Sequence, residues 1–330
     1  MTLHDVARRA NVSPSTVSRV LNNLDIVKES TKQRVLKAVE ELHYRPNLHA
    51  RTLAGGKTRT LGMVVSNITN PFFTDIFCGL ERTARQLGYE VVVEHTDYRV
   101  SRLVTSIRSM IAQRVSGLAV IVSEMEPSIL HEIRESGVPV VYYDVGTPGP
   151  NATNIRVRYD VGMQRVVQYL YALGHRRMAY VGHHPSLSPL QVRQRAFLRT
   201  LQQYGAEVEC KTVLSNDGPT GGIQAARELL ASGFKPTAIV CVNDYMSLGL
   251  LKELRTQGMS VPGDVSVTGF DNIEFSEFTS PALTTLNIPR HAIGRMAVNV
   301  LLGEGVPTEQ NEVIIDPELV LRDSTGPAKK

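Results

Sequence analysis

From about Thr60 the chain repeats one pattern: a short apolar run, often β-branched, then an amphipathic stretch, then another run. The runs are LGMVVS, YEVVVEH, GLAVIVS and VPVVYYD, followed by RMAYVG, TAIVCVN and DVSVTGF. Runs apolar on both faces are strands covered from both sides, and the segments between them are the helices that cover them. The alternation therefore predicts an α/β body of doubly wound parallel sheets, and its two sets predict two subdomains. Ligands of such sheets bind beyond the carboxyl ends of the strands.

The residues before Thr60 obey a different period. Thr2 caps a helix that turns Leu3, Val6, Ala7 and Ala10 to one side, and Asp5 closes a capping box. After the turn Asn11-Val12, Ser13 is the next N-cap and Pro14 the first helical residue. This second helix ends near Leu21 and buries Val17, Val20 and Leu21. A third, roughly 29–42, buries Val35, Leu36, Val39 and Leu42. Two helices joined by a short turn form a helix-turn-helix, whose second helix enters the major groove of DNA. Ser15, Ser18, Arg19 and Asn22 share the face opposite the valines. An arginine so placed can bond guanine O6 and N7 bidentately, worth about 1–3 kcal/mol of discrimination.

Charge points the same way. Residues 1–60 hold eleven Lys/Arg against five Asp/Glu, whereas the other 270 hold twenty-five against twenty-seven. A basic head on a near-neutral body implies a polyanionic partner for the head.

Other classes lack their signals. No apolar stretch approaches the roughly 20 residues of a membrane span, and MTLHDVARRA has no signal-peptide core. The expected location is the cytoplasm, associated with the nucleoid. Cys78, Cys210 and Cys241 are scattered and read as free thiols without zinc spacing. GGKT lacks the glycine five places earlier that a phosphate loop needs, because Arg51 stands there. GPTGG (218–222) has no following Lys-Ser/Thr, and His183-His184 read as surface histidines. No nucleophile, metal site or cofactor motif is assembled, so the chain is not expected to be an enzyme.

One stretch resists a self-contained reading. In NLHARTLAGGKT (47–58), Leu53 stands in a helix-prone run barely two turns long that Gly55-Gly56 stops. A helix that short is marginal alone, and its leucine needs a partner outside the segment.

LHDVARRANVSPSTVSRVLNN, YRPNLHARTLAGGKTRTLGMVV and NPFF resemble the head, hinge and first ligand loop of the lactose/galactose repressor (LacI/GalR) family. LGHRRMAYVG, VNDYMSLGLL, VPGDVSVTGFDN and SPALTTL carry the match through nearly the whole chain. The resemblance implies a homodimeric, ligand-responsive transcription regulator, most often a repressor, bound to double-stranded operator DNA. Its body would resemble periplasmic binding proteins, and a small-molecule effector would bind between subdomains. The implied boundaries are 1–46 for the head, 47–59 for the hinge helix and linker, 60–156 with 287–316 for the N-subdomain, and 157–286 with 317–330 for the C-subdomain. In the head, Thr2, Ser13, Pro14, Ser15, Thr16, Ser18, Arg19 and Asn22 would meet DNA. In the hinge the same holds for Asn47, Ala50, Arg51 and Leu53, with Leu53 wedged into the central base step of the minor groove.

For the effector, the resemblance implies Phe72 and Phe73 of NPFF on one wall. Arg193 would clamp ligand oxygens, with Asn243 and Asp271 at strand ends and Asp217 where relatives carry an aromatic platform. Each has a structural alternative: Phe72 as plain core, Asp271 as a helix cap. Val157-Arg158 aligns where many relatives carry Asp-Asn, which would add a cation to the pocket. Together these departures lead us to expect an anionic or strongly polar effector rather than a neutral sugar. A solute-binding protein with the same body is the alternative; the basic head and the missing signal peptide count against it.

Overall fold

The computed structural model of the chain describes residues 1–21, 26–44, 58–183, 188–304 and 311–329, with main chain alone at 188–190. It divides into two compact units, Met1–Thr58 and Arg59–Lys330.

The first unit contains α1 (Leu3–Ala10), α2 (Pro14–Leu21) and α3 (Glu29–Glu41). The α1 capping box forms as expected: the Thr2 hydroxyl accepts the Asp5 N–H at 3.3 Å, and the Asp5 carboxylate accepts the Thr2 N–H at 2.8 Å. Asn11 ends the helix in the left-handed conformation, with φ of 51°. Ser13 takes the N-cap role for α2, its Oγ accepting the Thr16 N–H at 3.2 Å. Val6, Ala7, Ala10, Val17, Val20, Val35, Ala38 and Tyr44 form the buried core. Leu36 corrects the expectation, being 41% exposed. Val35 and Ala38 define the inward stripe of α3, and a residue adjacent to Val35 is turned about 100° away from it.

The body begins with β1 (Thr60–Val65), α4 (Pro71–Gln86), β2 (Glu90–His95), α5 (Val100–Ala112), β3 (Gly117–Ile121), α6 (Pro127–Ser136), β4 (Val140–Tyr143) and β5 (Ala152–Val157). Next come α7 (Tyr159–Ala172), β6 (Arg177–His183), α8 (Ser188–Gln202), β7 (Glu209–Ser215), α9 (Gly218–Ala231), β8 (Ala238–Cys241), α10 (Asp244–Thr256), β9 (Ser266–Thr268) and the short α11 (Phe275–Phe278). The chain closes with β10 (Thr285–Asn287), α12 (Arg290–Leu301), β11 (Glu312–Ile315) and β12 (Glu318–Val320).

Two parallel sheets result. One has six strands in the order β11-β5-β4-β3-β1-β2, and the other has four in the order β7-β6-β8-β9. The central strands β1, β3 and β4 are buried almost throughout, which is why the sequence shows them as unbroken apolar runs. The chain passes between the sheets after β5, around β10, and between β11 and β12, where β10 and β12 pair antiparallel. Each sheet therefore holds its own lobe, and both lobes turn strand carboxyl ends toward the same cleft.

The GPTGG stretch, without a phosphate role, has a packing one. A Cβ on Gly222 would lie 2.0 Å from the Met246 carbonyl, and one on Gly249 would lie 1.7 Å from that of Pro219. Only bare backbone lets α9 and α10 approach so closely. All three cysteines are free. Among the described residues no helix is long and apolar enough to cross a membrane, and no metal-binding cluster of His, Cys, Asp or Glu occurs.

Candidate functional site

In the head, Ser13, Ser15 and Thr16 gather their hydroxyls at the start of α2: Ser13 Oγ lies 2.8 Å from Ser15 Oγ and 2.9 Å from Thr16 Oγ1. Free N–H groups and hydroxyls at a helix start suit a phosphate. Ser15 and Arg19 are exposed, while Thr16 and Ser18 are half-buried beside the valines. Pro14 occupies the first helical position. Thr2 and Asp5 hold the start of α1. Asn22, Asn47, Ala50, Arg51 and Leu53 lie outside the described residues.

In the body, one small cleft collects Asn70, Phe72, Phe73, Tyr98, Val122, Ser123, Tyr143, Tyr159, Arg193, Asn243 and Asp271. Nearly all follow the carboxyl end of a strand. The exception is Arg193, which reaches in from α8. Its Nη1 donates to the Val242 carbonyl at 2.8 Å and lies 3.6 Å from Asp271 Oδ1. The guanidinium sits over the rings of Phe270, at 4.3 Å, and Tyr159, at 4.8 Å. The two rings are 5.6 Å apart and tilted by 45° to each other, so they form one corner on which the cation rests before any ligand arrives.

Asp271 has a φ of 103°, a conformation that a side-chain-bearing residue rarely adopts. Burial pushes its carboxyl up to about 7, against the pull of Arg193. Asn243 caps α10, its Oδ1 accepting the Met246 N–H at 2.8 Å, which leaves Nδ2 to donate to Asp217 at 3.1 Å. Phe72 and Phe73 meet edge to face at 5.1 Å, and Phe72 also packs on Tyr143 at 5.6 Å. They are core and cleft wall at once. Five of the residues expected around a ligand do line this one cleft: Phe72, Phe73, Arg193, Asn243 and Asp271.

Asp217 stands beside the cleft, bonded to Tyr98 and Asn243, which line it. Arg158 is the clear departure from expectation. It forms an ion pair with Asp316 and faces a separate, larger groove with Arg156, Asp160, Arg195 and Arg199. The cation expected in the cleft is therefore absent from its lining, and the anionic-effector expectation loses that support. His183 is half-buried at the surface, its ring 5.3 Å from that of Tyr98, and His184 lies outside the described residues.

Sequence reasoning missed Asn70, Tyr98, Ser123, Tyr143 and Tyr159. Tyr143 ends the run VPVVYYD, so the strand-end rule is sufficient to flag it. Tyr159 donates to Asp144, whose other oxygen accepts the Val157 N–H at 2.8 Å. Burial raises Asp144 to about 6 despite these bonds.

The cleft holds unmet polar capacity. Tyr143 OH, Arg193 Nε and Asp271 Oδ1 are buried without a hydrogen-bond partner. Native structures rarely leave such groups unpaired unless something else completes them. A helix-turn-helix head on a two-lobed body with a polar cleft at its strand ends defines a ligand-controlled DNA-binding protein.

Comparison with known proteins gives the family. Residues 2–47 match the model of bacterial regulatory proteins, lacI family, and residues 167–325 match a periplasmic binding protein-like domain. The HTH-type transcriptional repressor PurR of Photobacterium profundum is 33% identical over 98% of each chain. The crystal structure of the Lac repressor dimer bound to operator and the anti-inducer ONPF superposes with a TM-score of 0.85 at 28% identity, covering 99% of each chain. A LacI-family transcriptional regulator from Silicibacter pomeroyi also superposes with a TM-score of 0.85, at 25% identity over 99% of each chain. The chain belongs to the lacI family of bacterial regulatory proteins. It is a ligand-responsive, DNA-binding transcriptional repressor and not an enzyme, and the solute-binding alternative is not favoured.

Proposed function

We propose that the protein acts in the cytoplasm as a homodimer, each head reading one half of a pseudo-palindromic operator. Ser15, Thr16 and Arg19 would contact base edges, while Thr2, Ser13 and the α2 N-terminus would hold phosphates. Asn47, Ala50, Arg51 and Leu53 would form the minor-groove element, with Leu53 unstacking a flexible central step. The solved Lac repressor dimer on its operator supports this arrangement by similarity. Phe275 and Phe278, 55% and 74% exposed, offer an apolar patch that a second copy would cover.

The effector would bind in the cleft among Phe72, Phe73, Arg193, Asn243 and Asp271, and it would be strongly polar. The observation that carries this is that three residues lining one cleft have buried groups without a hydrogen-bond partner, Tyr143 OH, Arg193 Nε and Asp271 Oδ1. The division into 60–156 with 287–316 and 157–286 with 317–330 would give two rigid parts whose relation the effector changes. A ligand shifts that equilibrium only by its difference in affinity for the two arrangements. Coupling of about 1–3 kcal/mol would change operator affinity about 5–150-fold.

Operator affinity measured by fluorescence anisotropy, with and without fractionated cell metabolites, tests the assignment. A response present in the wild type and lost in Arg193→Met supports it. A response that survives the substitution moves the effector elsewhere.

A further inference from the structure

Asp217 occupies the N-cap position of α9 but does not cap it. An aspartate there normally accepts from N–H groups of its own helix. Here both carboxylate oxygens are turned away. Oδ2 accepts from Tyr98 OH at 2.6 Å and from Asn67 Nδ2 at 3.4 Å, both on the lobe of the six-stranded sheet. Oδ1 accepts from Asn243 Nδ2 at 3.1 Å, on its own lobe. One carboxylate thus spans the cleft.

Tyr98 is held for this role at a conformational cost. It and Asp97 are consecutive side-chain-bearing residues with φ of 57° and 56°. Left-handed backbone at two such positions in a row persists only where the surroundings enforce it. The turn carries the Tyr98 ring onto His183 of the other lobe and its hydroxyl onto Asp217. Burial and the neighbouring Asp217 charge raise the phenol well above its ordinary range, so it stays a donor.

In this arrangement the cleft has room for only about two or three water molecules. An effector of more than a few atoms therefore needs the lobes to part, and parting them breaks the Asp217 bridge. When the bridge opens, Asp217 Oδ2 loses its Tyr98 and Asn67 donors, while Oδ1 keeps Asn243. Asp271 adds a second carboxyl at the cleft, and Arg193 is the one cation among the lining residues.

We propose that Asp217 is the latch between the lobes and the residue that sets ligand polarity at this site: an effector enters by giving Asp217 a hydroxyl or ammonium donor in place of Tyr98, and anionic ligands are excluded from that end. The second half rests on the cleft being the effector site, as proposed above; the latch itself does not.

Hydrogen exchange on the full-length protein separates the two. Tyr98→Phe keeps the ring and removes the donor, and Asp217→Asn removes the charge. Each is expected to speed exchange roughly tenfold or more in 67–74 and 216–222, the loss of a hydrogen bond to a charged group, while strands β1 and β8 stay unchanged. The double variant is expected to fall short of the sum of the singles, because both weaken the Tyr98–Asp217 bond. Unchanged exchange at these segments, or additive effects, would overturn the latch.

Thermal stabilisation by a metabolite library sorted into neutral polyols, amines, and phosphate or carboxylate anions then reads polarity. Polyols or amines should stabilise the wild type, with amines losing most in Asp217→Asn. Anions as the stabilising class would overturn the polarity claim. A library with no stabilising class counts against the cleft as effector site, and the exchange result still decides the latch.

Discussion

Arg193 and Asp271 form a buried ion pair whose members also serve other partners: Nη1 of Arg193 lies 3.6 Å from Asp271 Oδ1 but donates at 2.8 Å to the carbonyl of Val242. The pair is loose: Arg193 Nε and Asp271 Oδ1 are without a hydrogen-bond partner, and both residues line the cleft. Two groups that hold each other weakly are positioned to accept a third.

Removing the cation should therefore damage stability as well as ligand response. Arg193→Met leaves Asp271 buried without its partner, a loss of about 3–5 kcal/mol when the carboxylate stays charged. Because Asp271 can take up a proton instead, the loss should be smaller at pH 5 than at pH 8. Denaturant unfolding at the two pH values checks this; an equal loss at both would show that Asp271 does not respond to Arg193.

Asp271 also gives the body a pH dependence of definite sign. Its carboxyl is raised to about 7 in the folded protein, from about 3.9 in an unfolded chain. The folded state holds the proton more tightly, so this contribution is complete below about pH 4 and is lost as pH rises to about 7. Asp144 and Asp244, raised to about 6, act in the same direction. Melting temperatures of wild type and Asp271→Asn should therefore draw together or cross in favour of the variant between pH 4.5 and 7.5. A constant difference across that window would contradict the raised value.

Packing at α9 and α10 predicts a defect remote from either ligand. Gly222→Ala would place a methyl 2.0 Å from the Met246 carbonyl, so the helices must part, at about 1–3 kcal/mol. Thermal unfolding should show that loss, with operator affinity at low temperature little changed. A neutral result would mean that α9 shifts freely.

How far the fold is legible in the sequence follows from how each element is buried. β1, β3 and β4 are covered on both faces and appear as apolar runs. β5, β7 and β11 do not: Asn154 and Arg156 interrupt β5, and the first residues of β7, Glu209, Cys210 and Lys211, are exposed on the sheet edge. β7 and β11 are edge strands with fewer buried positions, so their pattern is weak, whereas β5 lies between β11 and β4 and its run is broken by Asn154 and Arg156 themselves. Arg193 and Asp271 are legible through motif resemblance. Tyr98 is not, because its place follows from a left-handed turn after β2 that no local signal announces. Arg158 is misassigned from sequence because its partner, Asp316, is remote along the chain and joins it only where the chain crosses between the sheets.

In the head, Arg19→Ala should relax preference at one symmetric position of each half-site by about 1–3 kcal/mol, while Ser13→Ala should cost the α2 start about 1 kcal/mol and weaken all sequences alike. Binding-site selection with each variant distinguishes them; an unchanged preferred site for Arg19→Ala would remove it from base reading.

Dimer formation is tested at α11. Phe278→Asp should shift the protein toward monomer in sedimentation equilibrium and weaken operator binding through loss of the second head. An unchanged dimer would place the interface elsewhere.

The most direct test of the whole account is selection of DNA from a random pool by the full-length protein at fixed, near-physiological salt, with and without a metabolite extract. The account predicts an enriched palindrome with a flexible central step in at least one of the two conditions, and a change in its enrichment between them. No enriched sequence in either condition would contradict a sequence-reading, ligand-controlled repressor.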